Sequence, residues 1–225
     1  MAGLLGAAAE LVLGSCCSAC GEPGLNPCAH CRRVVRAAPP VVLRGSADPQ
    51  LVVVAAGRYD AELKALLLAA KERGGLGLVP VLGERLAVAV TVLAAAGLAD
   101  RLLLAPMPSV PARVADRGLD FTAALASQAA ARLRRAGVSV EVVRPLRQLR
   151  RPADQSGLGL AARHANLSGA FGAAAQLPAG ELIVVDDIVT TGASITEAVR
   201  ALAAVGRRPL GAATVAATRR IKAAG

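Results

Sequence analysis

Leu182-Ile183-Val184-Val185-Asp186-Asp187-Ile188-Val189-Thr190-Thr191-Gly192-Ala193-Ser194 is the stretch on which the fold turns. Its four leading apolar residues predict a strand over Glu181 to Val185 that is buried on both faces, as in a parallel sheet. Two carboxylates follow at the expected strand end, where open α/β sheets bind ligands. Ile188 to Ser194 then reads as a turn rich in hydroxyls and glycine, opening a helix predicted over Ser194 to Val205. The amide hydrogens and positive dipole end of such a helix suit an anion. Thr190, Thr191 and Ser194 add hydroxyl donors, and Gly192 permits close backbone approach. Carboxylates facing a phosphate would repel it, so they fit best as acceptors for sugar hydroxyls while the phosphate sits on the turn. The competing reading, the Mg²⁺-binding strand of a nucleotide triphosphatase, requires a loop ending in Gly-Lys-Ser/Thr. None of Lys64, Lys71 and Lys222 follows a glycine.

The segments on either side repeat the alternation. Leu51 to Ala55 is a short β-branched run, and Tyr59 to Lys71 sets Leu63, Leu66, Leu67 and Ala70 at helical spacing. A helix over Leu82 to Ala96, a strand at Arg101 to Ala105, a proline-bounded loop, a helix from Phe121 to Arg135 and a strand at Ser139 to Val143 follow. Arg144 to Gly159 has the composition of a long loop, and Leu210 to Ala216 supplies a last strand. Strands alternating with helices predict an α/β fold with a mostly parallel sheet covered on both faces.

Composition narrows the function classes. The chain has 225 residues and three aromatic side chains, Tyr59, Phe121 and Phe171, too few to line a stacking groove for single-stranded nucleic acid. The net charge of +10 favours polyanionic partners. Lysine is rare among the basic residues, and an alanine-, glycine- and arginine-rich sequence also reflects a GC-rich coding bias. The longest apolar run, Leu86 to Ala99, falls short of the roughly 20 residues needed to cross a bilayer. No Lys or Arg precedes Arg32, so a secretory signal is not expected and a cytoplasmic location is. No nucleophile elbow is present, and His30 and His164 have no evident catalytic partners.

All five cysteines lie between Cys16 and Cys31. Cys17-x-x-Cys20 and Cys28-x-x-Cys31 form two knuckles, the spacing that places four thiolates around one structural Zn²⁺. Cys16 would break that spacing and reads as spare. A zinc-binding element over residues 1–45, entered by a short helix and left through a linker at Arg36 to Pro40, is expected to precede an α/β domain over 46–225. Metal binding would supply folding energy that so short a segment cannot gain from burial.

The stretch from Leu182 to Ser194 resembles the phosphoribosyl pyrophosphate (PRPP) motif of type I phosphoribosyltransferases. Other segments make the chain similar to the ComF family of competence-associated, phosphoribosyltransferase-like proteins. These are Tyr59-Asp60 through Lys71-Glu72-Arg73-Gly74; Ala105-Pro106-Met107-Pro108-Ser109 with Arg113 and Arg117-Gly118; and Arg144 to Phe171 with Gln155, Arg163 and Asn166. Leu119 stands where that family usually has Phe. Chains of this family begin with a four-cysteine element. The resemblance implies a type I phosphoribosyltransferase-like fold, in which Asp186 and Asp187 bind the ribose hydroxyls and orient Mg²⁺-linked PRPP. Ile188, Val189, Thr190, Thr191, Gly192, Ala193 and Ser194 would cradle the 5′-phosphate. Pro106, Met107 and Pro108, with Ser109, would form the pyrophosphate loop, whose backbone conformation the sequence leaves open. Arg117, with Arg147, Arg150 and Arg151, would close on the pyrophosphate, although arginines on a basic surface are ordinarily solvated. Lys71 is left undecided between an acidic partner and the site. The implied activity is transfer of phosphoribosyl from PRPP to a nitrogenous acceptor. The alternative is a nonenzymatic accessory role in DNA uptake, contacting single-stranded DNA or a helicase.

Overall fold

A computed structural model describes residues 16–45, 48–72, 76–95, 100–150 and 165–218. Its strands are β1 (Val41–Arg44), β2 (Val52–Ala55), β3 (Leu102–Pro106), β4 (Val140–Val142), β5 (Leu146–Gln148), β6 (Phe171–Ala173), β7 (Glu181–Val189) and β8 (Gly211–Ala217). Its helices are α1 (Ala29–Ala37), α2 (Ala61–Glu72), α3 (Val79–Ala94), α4 (Pro111–Arg117), α5 (Phe121–Arg135) and α6 (Ala193–Ala203). Six strands form one sheet in the order β1-β2-β8-β7-β3-β4, and β5 and β6 form a separate antiparallel pair. Only the β1–β2 pairing in the large sheet is antiparallel. The expected mostly parallel sheet flanked by helices is therefore present.

Its strands are apolar because both faces are covered. Val54, Leu104, Ile183, Val185, Ala213 and Val215 pack into a core with α2, α3 and α5. The alternate residues Val53, Ala55, Leu103, Ala105, Leu182, Val184 and Ala212 pack with Ile195, Ala198 and Leu202 of α6. This two-residue alternation assigns each side chain to a layer. Small residues let the layers close up: a Cβ at Gly83 of α3 would come within 2.4 Å of the Gln128 Cβ on α5. None of the described helices is long and apolar enough to cross a membrane.

Several boundaries differ from the sequence reading. β7 runs through the acid pair to Val189, because the backbone of Asp186, Ile188 and Val189 continues to pair with β8 at Thr214, Ala216 and Ala217. The proline-bounded loop contains α4, whose first residue is Pro111, a position where the missing N–H costs nothing. Leu146–Gln148, expected as loop, pairs with Phe171–Ala173. The linker at Arg36 to Pro40 begins inside α1, and the sheet begins at Val41, ahead of the expected division at residue 45. The helix expected before Cys16 lies outside the described residues.

Arg85, 3% exposed on α3, joins the cysteine segment to the sheet. Its guanidinium donates to the carbonyls of Arg36 at 2.8 Å and Ala38 at 2.5 Å, and also to that of Ala56 just after β2. Burial lowers its pKa, so the charge is held at a cost that these acceptors offset. Beside it, the Tyr59 amide donates to the Ala217 carbonyl at 2.7 Å and the Ala217 amide to the Gly57 carbonyl at 3.0 Å, closing the loop after β2 onto the end of β8. Arg85→Leu is expected to lower stability by about 2–4 kcal/mol, since buried carbonyls would lose their donor. Denaturant titration checks this, and an unchanged midpoint would show that water satisfies those carbonyls equally well.

Candidate functional site

β3 and β7 lie side by side, with Pro106 opposite Val185 and the Met107 amide donating to the Val185 carbonyl at 2.9 Å. After β3 the chain leads through α4 to α5, on one face of the sheet. From β7 it turns into α6 on the other face. Connections that part in this way open a crevice beyond the strand ends. Two adjoining depressions occupy it. A smaller one of about 270 Å³ is lined by Asp186 and by every residue from Ile188 to Ile195. A larger cleft of about 640 Å³, open to solvent, is lined by Lys71, Met107 to Val110, Phe121, Thr122, Phe171, Asp186, Asp187 and Ser194. Asp186 and Ser194 belong to both.

The turn between β7 and α6 is confined to Thr190–Gly192, with Ile188 and Val189 contributing from the strand. Gly192 is required for its backbone: φ is 79°, while a Cβ there would meet nothing within 4 Å. The Thr191 hydroxyl accepts the Ala193 amide at 3.4 Å, and the Gly192 carbonyl accepts the Thr196 amide at 2.8 Å, starting α6. Thr218, just past β8, donates its hydroxyl to the Thr190 carbonyl at 3.3 Å.

The carboxylates are held differently. Asp187, 5% exposed, pairs through Oδ2 with Nζ of Lys71 at the end of α2, while its Oδ1 accepts the Ile188 amide at 2.9 Å. Lys71 thus has an acidic partner and lines the cleft as well. Asp186 accepts the Asp187 amide at 2.9 Å. Burial pushes its carboxyl well above the usual range; the Asp187 charge adds to this, and Lys71 reverses only part of it. The site therefore combines a carboxylate paired with Lys71 and a second, Asp186, that retains a proton more readily than an ordinary carboxyl.

The loop after β3 carries neither a cis peptide nor a positive φ between Pro106 and Ser109. It is fixed by the Ser109 hydroxyl, which donates to Asp120 Oδ1 at 2.8 Å. Asp120 also caps α5 through the Ala123 amide at 3.2 Å and accepts from Arg144 at 3.3 Å. Pro106 ends β3, and Met107 and Pro108 line the cleft. Arg117 ends α4, and its side chain lies outside what is described, as do Arg151, Gln155, Arg163 and His164. Arg147 is exposed on β5. Arg150 is engaged locally, donating to the carbonyls of Asn166 at 2.8 Å and Ser168 at 2.6 Å. Phe121, Thr122 and Phe171 are cleft residues that the sequence reading did not place there. An N-cap pattern, Asp120 before an apolar helix, was the available signal for the first two. Phe171 had no local signal, because its position depends on pairing with β5.

Cys17, Cys20, Cys28 and Cys31 converge, with their sulfurs all within 4.8 Å of one another and Cys20 and Cys28 at 3.7 Å. Tetrahedral ligands about 2.3 Å from zinc are separated by about 3.8 Å, so the set can hold a metal ion such as zinc. Ser18 and Asn26 tie the knuckles together: the Ser18 amide donates to Asn26 Oδ1 at 3.0 Å, and Asn26 Nδ2 to the Ser18 hydroxyl at 2.8 Å. Crowding separates the thiols in acidity. At Cys17, burial opposes ionisation, but hydrogen bonds from the backbone at Cys28, Cys20 and Ala19 outweigh it and lower the pKa to about 6. Burial and the neighbouring thiols push Cys31 up. A divalent cation would favour the thiolate form of all four. Cys16 is exposed and stands outside the cluster, as does His30.

No protein-family model matches the chain, and no curated protein is significantly similar to it.

Zinc added to chelator-treated protein is expected to bind as a single ion per chain and to raise the thermal midpoint. Cys20→Ser should abolish both effects, and Cys16→Ser neither; absorption and melting experiments with a cobalt substitute and with zinc check this. The acid pair sets a pH dependence. Because the folded pKa of Asp186 is raised above its ordinary value of 3.8, the native state holds the proton that the unfolded state releases. Stability from this group is full below 3.8 and is lost as pH rises through the folded value. Denaturation midpoints of the unliganded wild type are therefore expected to fall relative to those of Asp186→Asn as pH rises from 3.8 to neutral, and a parallel pair of curves would refute this.

Proposed function

We propose that the chain is a phosphoribosyltransferase-like protein of the ComF kind that binds PRPP with Mg²⁺ in the crevice between β3 and β7. The observation that carries this reading is the sharing of Asp186 between the two depressions. A sugar phosphate seated on the Thr190–Ser194 turn would bring its ring hydroxyls to Asp186 and Asp187. Its diphosphate would then extend into the cleft beside Met107–Val110 and Lys71. The α6 N-terminus and the Thr190, Thr191 and Ser194 hydroxyls suit the 5′-phosphate. Lys71 suits the more highly charged end.

Mg²⁺, brought in with the diphosphate, would neutralise the leaving group and favour full ionisation of Asp186. In transfer, a nitrogen lone pair forms a bond to the anomeric carbon as the bond to the diphosphate oxygen breaks, and diphosphate departs with the electron pair. The paired carboxylates stabilise positive charge developing on the ribose. No covalent nucleophile from the protein is needed. The four-cysteine element would carry structural Zn²⁺, held by Cys17, Cys20, Cys28 and Cys31.

Calorimetric titration of the full chain with PRPP and Mg²⁺ is expected to show saturable binding that falls at least tenfold in Asp186→Asn/Asp187→Asn. A screen of nucleobases and amines should then reveal pyrophosphate release. Binding without release for any acceptor would favour the accessory role in DNA uptake. No binding of PRPP by the folded, zinc-loaded wild type would overturn the reading.

A further inference from the structure

The β5–β6 pair stands apart from the six-stranded sheet, and its Leu146 and Phe171 share a core with Ile195, Ala198 and Leu202 of α6. Two attachments are evident. Leu167 and Ala170, just before β6, pack on Ala193 in the first turn of α6. One turn further on, Glu197 is 6% exposed, although it is a carboxylate on a helix whose outer residues are solvated. Arg200 clamps it with two bonds of 2.8 Å, from Nε to Oε2 and from Nη2 to Oε1. The same pair grips both polar groups of one peptide residue: the Phe171 amide approaches Glu197 Oε1 at 3.5 Å, and Arg200 Nη2 donates to the Phe171 carbonyl at 3.2 Å. Arg200 is raised in pKa chiefly by its bond to Glu197, in keeping with a persistent charge pair.

Phe171 is also a wall of the larger cleft, while α6 begins at the smaller depression, where Ser194 lies three residues before Glu197. A buried carboxylate that only stabilised the helix would not need to contact a strand from another sheet. We infer that Glu197, through Arg200, is a positioning residue that sets the Phe171 wall against the phosphate-turn helix, so that binding in the larger cleft depends on it and binding at the smaller depression does not. This rests on the proposed function for the identity of the ligands, but the clasp can be judged without them.

The test uses the full, zinc-loaded chain and the variants Glu197→Ala, Glu197→Gln and Arg200→Lys, each held below its melting temperature. Ribose 5-phosphate probes the smaller depression, and PRPP with Mg²⁺ probes both. For Glu197→Ala, ribose 5-phosphate affinity is expected within twofold of wild type and PRPP affinity about tenfold weaker. Glu197→Gln, which keeps an acceptor for the Phe171 amide, should recover part of the loss, and Arg200→Lys, which loses the fork, should show it. PRPP affinity within twofold of wild type in Glu197→Ala, or equal weakening of both ligands, would overturn the inference. If wild type binds neither ligand, the proposed function fails; hydrogen exchange then decides the clasp. Faster exchange over residues 165–173 in Glu197→Ala, with the rest of the chain unchanged, supports it, and unchanged exchange there overturns it.

Discussion

Two carboxylates on consecutive residues within a buried strand, Asp186 and Asp187 of β7, repel each other at the crevice, adding to the cost that burial already imposes on Asp186. Lys71 answers one of them from helix α2, leaving Asp186 with burial and a like charge to contend with. Both carboxylates line the larger cleft, and Asp186 lines the smaller depression as well, so it is Asp186 that joins the two. Any ligand that brings positive charge to Asp186 relieves a cost already present in the fold. The acidic pair is therefore a local liability of the fold, and under the proposed function a cation-bearing ligand would relieve it.

Long, repetitive features were legible in the sequence. The helix from about Phe121 to Arg135 is one of them, and in the structure Asp120 caps one end and Gly137, with φ of 83°, follows the other. The parallel layers followed from apolar runs that need cover on both sides. Less legible were elements defined by partners distant in sequence. β1, β5 and β6 have three or four residues each, too few for a periodic signal, and exist because of the strands they pair with. The end of β7 was misplaced because acidic residues usually mark a turn. Here each carboxylate accepts the next amide in the chain while the backbone pairing with β8 continues. Lys71 lies more than a hundred residues from Asp187, a separation across which single-sequence patterns carry no pairing information.

The cysteine segment illustrates how a small element is secured to a larger one. Its own core is slight: among the described residues before the sheet begins, Cys17, Pro27, Cys31 and Val35 are the buried apolar ones. Val35 reaches the main core beside Leu63, Leu66 and Leu67 of α2, and Arg36 pairs with Glu84 at 2.7 Å. Arg85 then binds the carbonyls where α1 ends, placing a cation at the negative end of that helix's dipole. Since α2 also delivers Lys71 to Asp187, the four-sulfur cluster and the crevice lean on opposite ends of shared packing.

Tyr59 gives this arrangement an unplanned practical property. The chain has one tyrosine and no tryptophan, and that tyrosine lies where the loop after β2 is stitched to the end of β8, its ring against the core under α2. Nearly all near-ultraviolet absorption and emission from the side chains therefore arises at a single known junction. Its lifetime, quenching and anisotropy give an optical readout of that junction without any attached dye.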